Sequence, residues 1–187
     1  MPRSFDSAVT PCRARLGRSR TGNGKEKIAV MRRRVVREKV VQALYAFEIG
    51  GDPVEHVIKY VLAGLETNRT AHEFASKLVV QTIAHTDDID NIIGQHVTNW
   101  DFKRIAILDR LILRMAICEL MYFREIPPKV SVNEAIELAK LFSTSRSGQF
   151  VNGILDAVLH EMRSSGSMPK TGRGLYDGEP RKEKSRR

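Results

Sequence analysis

Between residues 31 and 163 apolar side chains return every three or four positions, the period of helices that each bury one face. Val36, Val40, Ala43, Leu44 and Phe47 form the first such stripe and predict a helix from about Arg32 to Ile49, stopped by Gly50-Gly51. Asp52-Pro53-Val54-Glu55 then supplies a capping residue, a proline at the first helical position and an acid in the first turn. The helix it opens is expected to reach Leu65. Thr70-Ala71-His72-Glu73 has the spacing of a capping box and predicts a third helix to about His85. Asp87, Asp88 and Asp90 cluster where a fourth helix should begin, since acids favour the positive end of the helix dipole.

From Arg104 to Phe123 the pattern changes. Ile105, Ile107, Leu108, Leu111, Ile112, Leu113, Met115, Ile117 and Leu120 cover almost every face, so this helix should be surrounded by the others. Pro127-Pro128 ends it. Ser131-Val132-Asn133-Glu134 reads as another capping box, starting a helix to about Phe142, and Ser147 reads as the cap of the last helix. That helix keeps Phe150, Val151, Ile154, Leu155, Val158, Leu159 and Met162 on one stripe. No alternating strand pattern competes. The expected fold is all-α: a single seven-helix bundle over residues 31–163, with short capped turns.

The 187 residues suffice for one domain with a substantial core. Charge is unevenly placed. Residues 1–39 hold twelve Lys/Arg against Asp6, Glu26 and Glu38, and residues 164–187 hold seven against Asp177, Glu179 and Glu183. The overall charge is +9, so the body between these ends is mildly acidic. Residues 1–30 and 164–187 lack apolar periodicity and are expected to be disordered basic arms. The first resembles an organellar transit peptide in its Arg and Ser content; the simpler reading is an extension upstream of a translation start at Met31. Basic arms suit a polyanionic partner, although they equally suit plain solubility. Cys12 and Cys118 form no disulfide framework and fit a reducing, cytoplasmic compartment, and no run of about 18 apolar residues predicts a membrane span.

Catalytic and metal motifs are missing from the sequence. It contains no phosphate-binding glycine loop, HExxH, paired CxxC or nucleophile elbow, and the five histidines are scattered. No enzyme activity, cofactor or metal is expected. Two segments instead suit nucleic acid. Arg33, Arg34 and Arg37 fall within one turn of the first helix, flanked by Arg32 and Lys39, and guanidinium groups pair well with phosphate oxygens. Ser145-Arg146-Ser147-Gly148-Gln149-Phe150 opens the last helix with free backbone N–H groups, hydroxyls, an amide and a ring, the means by which proteins read single-stranded RNA. Phe150 also fits the core stripe. Gly153, inside a helix, suggests close approach of another helix or of a ligand.

Pro127-Pro128-Lys129-Val130-Ser131-Val132-Asn133-Glu134-Ala135-Ile136-Glu137-Leu138-Ala139-Lys140, with Phe142 and then Phe150-Val151-Asn152-Gly153-Ile154-Leu155-Asp156, resembles the C-terminal signature of the NusB family. Ile112-Leu113-Arg114-Met115-Ala116, Glu119-Leu120, Arg34-Val35-Val36-Arg37-Glu38 and Gln42-Ala43-Leu44-Tyr45 agree with it. The resemblance spans about Arg33 to Met162. It implies a non-enzymatic seven-helix protein that pairs with NusE, a small-subunit ribosomal protein. It also implies binding to single-stranded boxA RNA of ribosomal RNA leaders, and a part in suppressing termination within the RNA polymerase elongation complex. Carried onto this chain, the resemblance implies RNA-binding roles for Arg33, Arg34, Arg37, Tyr45, Phe142 and Phe150, to which the two segments read above add Arg32, Arg146 and Gln149, and it implies partner-binding roles for Asp109 and Arg110.

This chain departs from the family pattern in its basic ends and at Arg146, where some relatives carry an acid; an arginine there should strengthen attraction to phosphate. Three other readings stand beside this one. A domain related to ribosomal RNA methyltransferases is disfavoured by the polar tail after Ser164, a pure protein-interaction bundle by the arginine cluster, and a DNA-binding helix-turn-helix by the lack of a basic recognition helix. The sequence leaves monomer and homodimer equally open.

Overall fold

The computed structural model describes residues 24–97 and 102–168, with side chains from residue 33 onward. The expectations for most of the two basic arms, and for the side chain of Arg32, lie outside the described residues. Seven α-helices follow in order: α1 (Gly24–Gly50), α2 (Val54–Val61), α3 (Arg69–Ala84), α4 (Thr86–His96), α5 (Ile107–Tyr122), α6 (Pro128–Phe142) and α7 (Ser145–Ser164). Single 3-10 turns lie at Ala63–Leu65 and Phe102–Arg104. Among the described residues there is no strand, as the apolar periodicity predicts.

The helix ends show which local signals win. Gly51 adopts φ 67°, the left-handed conformation that a side chain would strain, and closes α1 with its N–H donating to the Phe47 carbonyl at 3.1 Å. The start of α1 lies at Gly24, upstream of the expected Arg32. Four expected caps are displaced. α2 has Pro53 itself at the capping position, with no side-chain cap, so Asp52 lies one residue before it. The third helix is capped by Asn68, whose Oδ1 accepts from the Ala71 N–H at 3.2 Å, so Thr70 lies inside the first turn. α6 begins three residues before Ser131, because Pro128 sits in its first turn, where the missing N–H costs nothing. Ser131 is buried inside that helix. α7 is capped by Thr144, whose Oγ1 accepts from the Ser147 N–H at 3.1 Å. By contrast, Asp87 and Asp88 lie in the first turn of α4, as expected.

α5 is the axis of the bundle and packs against α1, α3, α4, α6 and α7. All of its residues from Leu111 to Leu120 are buried, in accord with its uniformly apolar sequence. That run includes two charged residues, Arg114 and Glu119. Glu119 is fully buried and pairs with Arg37 of α1 through both of its oxygens, one at 3.1 Å from Nε. The Arg37 guanidinium also lies 5.4 Å from the Phe74 ring centroid, and its Nη1 donates to the Arg33 carbonyl at 3.4 Å. Toward the start of α5, Arg114 forks onto Asp90 of α4 at 2.7 and 2.6 Å and reaches Glu48 of α1 at 3.0 Å. Arg37–Glu119 and Arg114–Glu48 run in opposite chain directions, which sets α1 and α5 antiparallel.

Two stability outcomes follow. Glu119→Ala leaves a buried guanidinium without its counter-charge and should cost about 3–5 kcal/mol in urea unfolding. The double replacement Arg37→Met with Glu119→Leu should cost much less than that single change. Thr144→Ala should lower stability by about 1 kcal/mol, and Thr144→Ser should retain most of it, read from the same unfolding midpoints.

Candidate nucleic-acid interface

The two segments singled out in the sequence, the start of α1 and the start of α7, are joined across α6. Arg34 donates from Nε to Glu134 at 3.0 Å and lies 3.9 Å from Glu137. Lys140, one turn on, donates to Glu137 at 2.9 Å and holds that carboxyl below its usual range. A side chain added at Gly148 of α7 would come 2.9 Å from Lys140 Cγ, so the absence of a Cβ there lets α7 lie directly on α6. The surface therefore runs from α1 through Arg34, Glu137 and Lys140 to the first turns of α7.

The arginines of α1 do not act as one cluster. Arg33 is exposed and has no ion pair among the described residues. Arg34 is half-exposed but paired with two carboxylates, and the Glu134 hydrogen bond holds its pKa above the ordinary value. Arg37 is 1% exposed and its fork is fully used on Glu119, so it cannot reach a phosphate in this conformation. The sequence reading that placed Arg37 in the RNA contact surface is corrected: a residue four positions from an exposed one shares its side of the helix only loosely, and the core claims it.

At the other segment Arg146 and Gln149 are exposed, while Phe150 and Phe142 are half-buried against the core. Gly148 provides the close approach expected at Gly153, where nothing stands within 4 Å of a built Cβ. Tyr45 lies further along α1 and is 42% exposed. Leu141 is 59% exposed beside Lys140, an apolar residue of this surface that the sequence reading missed. Glu134 and Glu137 are also absent from that reading, in which Glu134 serves only as part of a capping box.

The two residues expected to meet a protein partner also separate. Asp109 is buried, and burial pushes its carboxyl above the ordinary range, so the expectation of a surface contact there is corrected. Arg110 is largely covered, its Nη2 donating to Glu48 at 3.2 Å and its guanidinium 5.6 Å from the Phe102 ring centroid.

Cys118 is fully buried, and burial pushes its thiol up to about 12, far from a reactive thiolate. No grouping of three or more His, Cys, Asp or Glu among the described residues could hold a metal ion. No described helix is long and apolar enough to cross a membrane.

Known proteins agree with this architecture. Residues 34–160 match the model of the NusB family. The chain is 42% identical over 156 residues to a transcription antitermination protein NusB of Chloroherpeton thalassium, spanning 83% of this chain and 74% of that one. It is 46% identical over 144 residues to that of Salinibacter ruber, spanning 76% and 90%. Among solved structures it is similar to T. maritima NusB, with a TM-score of 0.65 and 34% identity over 69% of this chain and 91% of that one. It is also similar to a chain from a crystal structure of antitermination factors NusB and NusE in complex with double-stranded RNA, with a TM-score of 0.64 and 27% identity over 70% and 98%. The match in sequence, helix order and fold leads to one conclusion: the chain belongs to the NusB family of RNA-binding, non-enzymatic transcription antitermination factors.

Proposed function

We propose that this protein binds a boxA-like single-stranded RNA of ribosomal RNA leader transcripts across the α1–α6–α7 surface. NusE strengthens the binding, and the complex acts on elongating RNA polymerase in the cytoplasm to suppress premature termination. The observation that carries the reading is the contact chain Arg34–Glu137–Lys140–Gly148, which turns two segments more than a hundred residues apart into one surface. A solved relative bound to NusE and RNA supports the choice of partners.

On this surface Arg33 and Arg146 supply phosphate contacts, Gln149 faces base edges, and Tyr45, Phe142 and Phe150 offer rings for stacking. Arg34 contributes less, because Glu134 and Glu137 already hold it. Glu137 also offsets Lys140, which keeps the strip between Arg33 and Arg146 close to neutral. Affinity from charge is thus concentrated at the two ends, and the middle discriminates by shape and stacking.

The test is a titration with boxA-like single-stranded RNA, a scrambled strand and a duplex of the same sequence, with and without NusE, across a salt series. The boxA-like strand should bind most tightly, and NusE should strengthen it. Arg33→Ala and Arg146→Asp should each weaken binding, and removing one phosphate-binding arginine should make the salt slope shallower by about 0.7. Phe150→Ala should cost about 1–3 kcal/mol of binding energy. Equal affinity for the boxA-like and scrambled strands overturns the reading; tightest binding to the duplex replaces the single strand as ligand.

A further inference from the structure

Along the last turns of α7, away from its capped start, lies an apolar groove that RNA binding does not use. Its walls are Ile92 of α4, Met121 and Tyr122 of α5, and Val158, Glu161 and Met162 of α7. Its volume is about 210 Å³. Small-molecule sites are larger, roughly 300–1,000 Å³, so this groove suits one or two side chains. Exposed carboxylates flank it on both sides. Asp88 of α4 lies 3.7 Å from His85, whose ring stacks on Tyr122 at 4.2 Å. Glu161 lies 2.7 Å from the Nε2 of His96.

The described chain ends at the rim of this groove. Gly166 takes φ 65°, and its N–H donates to the Arg163 carbonyl at 3.2 Å, which closes α7 and turns the chain. The Ser165 hydroxyl donates to the Glu161 carbonyl at 2.8 Å and lies 2.7 Å from the Ser167 hydroxyl, so the turn is tied to the helix. Both serines border the groove, and Met168 beyond them packs against the core. The chain thus turns back onto the body where residues 169–187 follow. Leu175 and Tyr176 are the only large apolar side chains of that segment, and Lys170 and Arg173 precede them. We propose that the groove is a docking site for the chain's own C-terminal segment, with Leu175 and Tyr176 seated on Met121, Tyr122 and Met162, and with Lys170 and Arg173 facing Asp88 and Glu161. Leu175 is seven residues beyond Met168, a reach of up to about 25 Å, enough to return to a groove bordered by Ser167. So short a tether sets an effective concentration on the order of mM, so a contact too weak to hold a free partner suffices here. The basic arm is then anchored at its middle, and it staples α4 to α7.

The experiment uses the full chain. NMR spectra should show cross-relaxation between the Tyr176 ring and the methyl groups of Met121 and Met162. Replacing both anchors, Leu175→Ser with Tyr176→Ser, should shift those two methyl signals and leave that of Met115, buried in the core, in place. Trypsin should then cut after Lys170 about tenfold faster, since cleavage follows the population of the undocked state. Met162→Glu, a change in the groove itself, should speed the same cut to a similar degree while the Met115 signal again reports an intact core. A double variant whose methyl signals and cleavage rate match those of the wild type overturns the proposal. Contacts of Tyr176 that disappear on dilution make a second copy the source of the segment, and overturn it as well. Neither result bears on the RNA surface, which lies at the other end of α7.

Discussion

The arrangement of the bundle depends on a charge that has no route to water. Arg37 and Glu119 meet inside the molecule, each with a side chain 1% exposed. Neither group is tolerable there alone, since an unpaired ion in a low-dielectric interior is costly, and a guanidinium fork fits a carboxylate in one orientation. The pair therefore fixes both the distance between α1 and α5 and the rotation of α1 about its axis. Once that rotation is set, Val36, Val40 and Leu44 face the core, and Arg33 faces outward.

The same rotation places Arg34 against α6. Its bond to Glu134 draws α6 onto α1, and Gly148 allows α7 to follow onto α6. The interface is therefore assembled from a buried pair, a half-exposed pair and a close helix contact, in that order outward from the axis. Charges that look alike along the chain have different surroundings: Arg37 is buried against α5, Arg34 joins α1 to α6, and Arg33 and Arg146 are exposed.

The fold was legible because helical periodicity is a property of many residues together. The stripes of α1 and α7 and the all-round apolar run of α5 survive the loss of any one position. Helix starts were less legible, because a capping box needs only two residues and occurs by chance. Ser131 and Glu134 have the right spacing, yet Pro128 has already begun the helix, and Glu134 is needed by Arg34. The site was legible as segments and not as individual side chains. Arg33 and Arg37 have the same chemistry in the sequence, and only the position of Glu119, 82 residues away from Arg37, separates them. For the same reason Asp109 resembles a surface acid in the sequence: it lies in the first turn of α5, and only the packing of the other helices buries it.

That separation also governs the order of events during synthesis. The ribosome releases α1 long before Glu119 is made, 82 residues after Arg37, and Glu134 follows 100 residues after Arg34. At about 5–20 residues per second, Arg37 waits on the order of 4–16 s for its counter-charge. In that interval the first helix has neither its axis nor its rotation, so the nascent chain has no defined core until its central helix emerges.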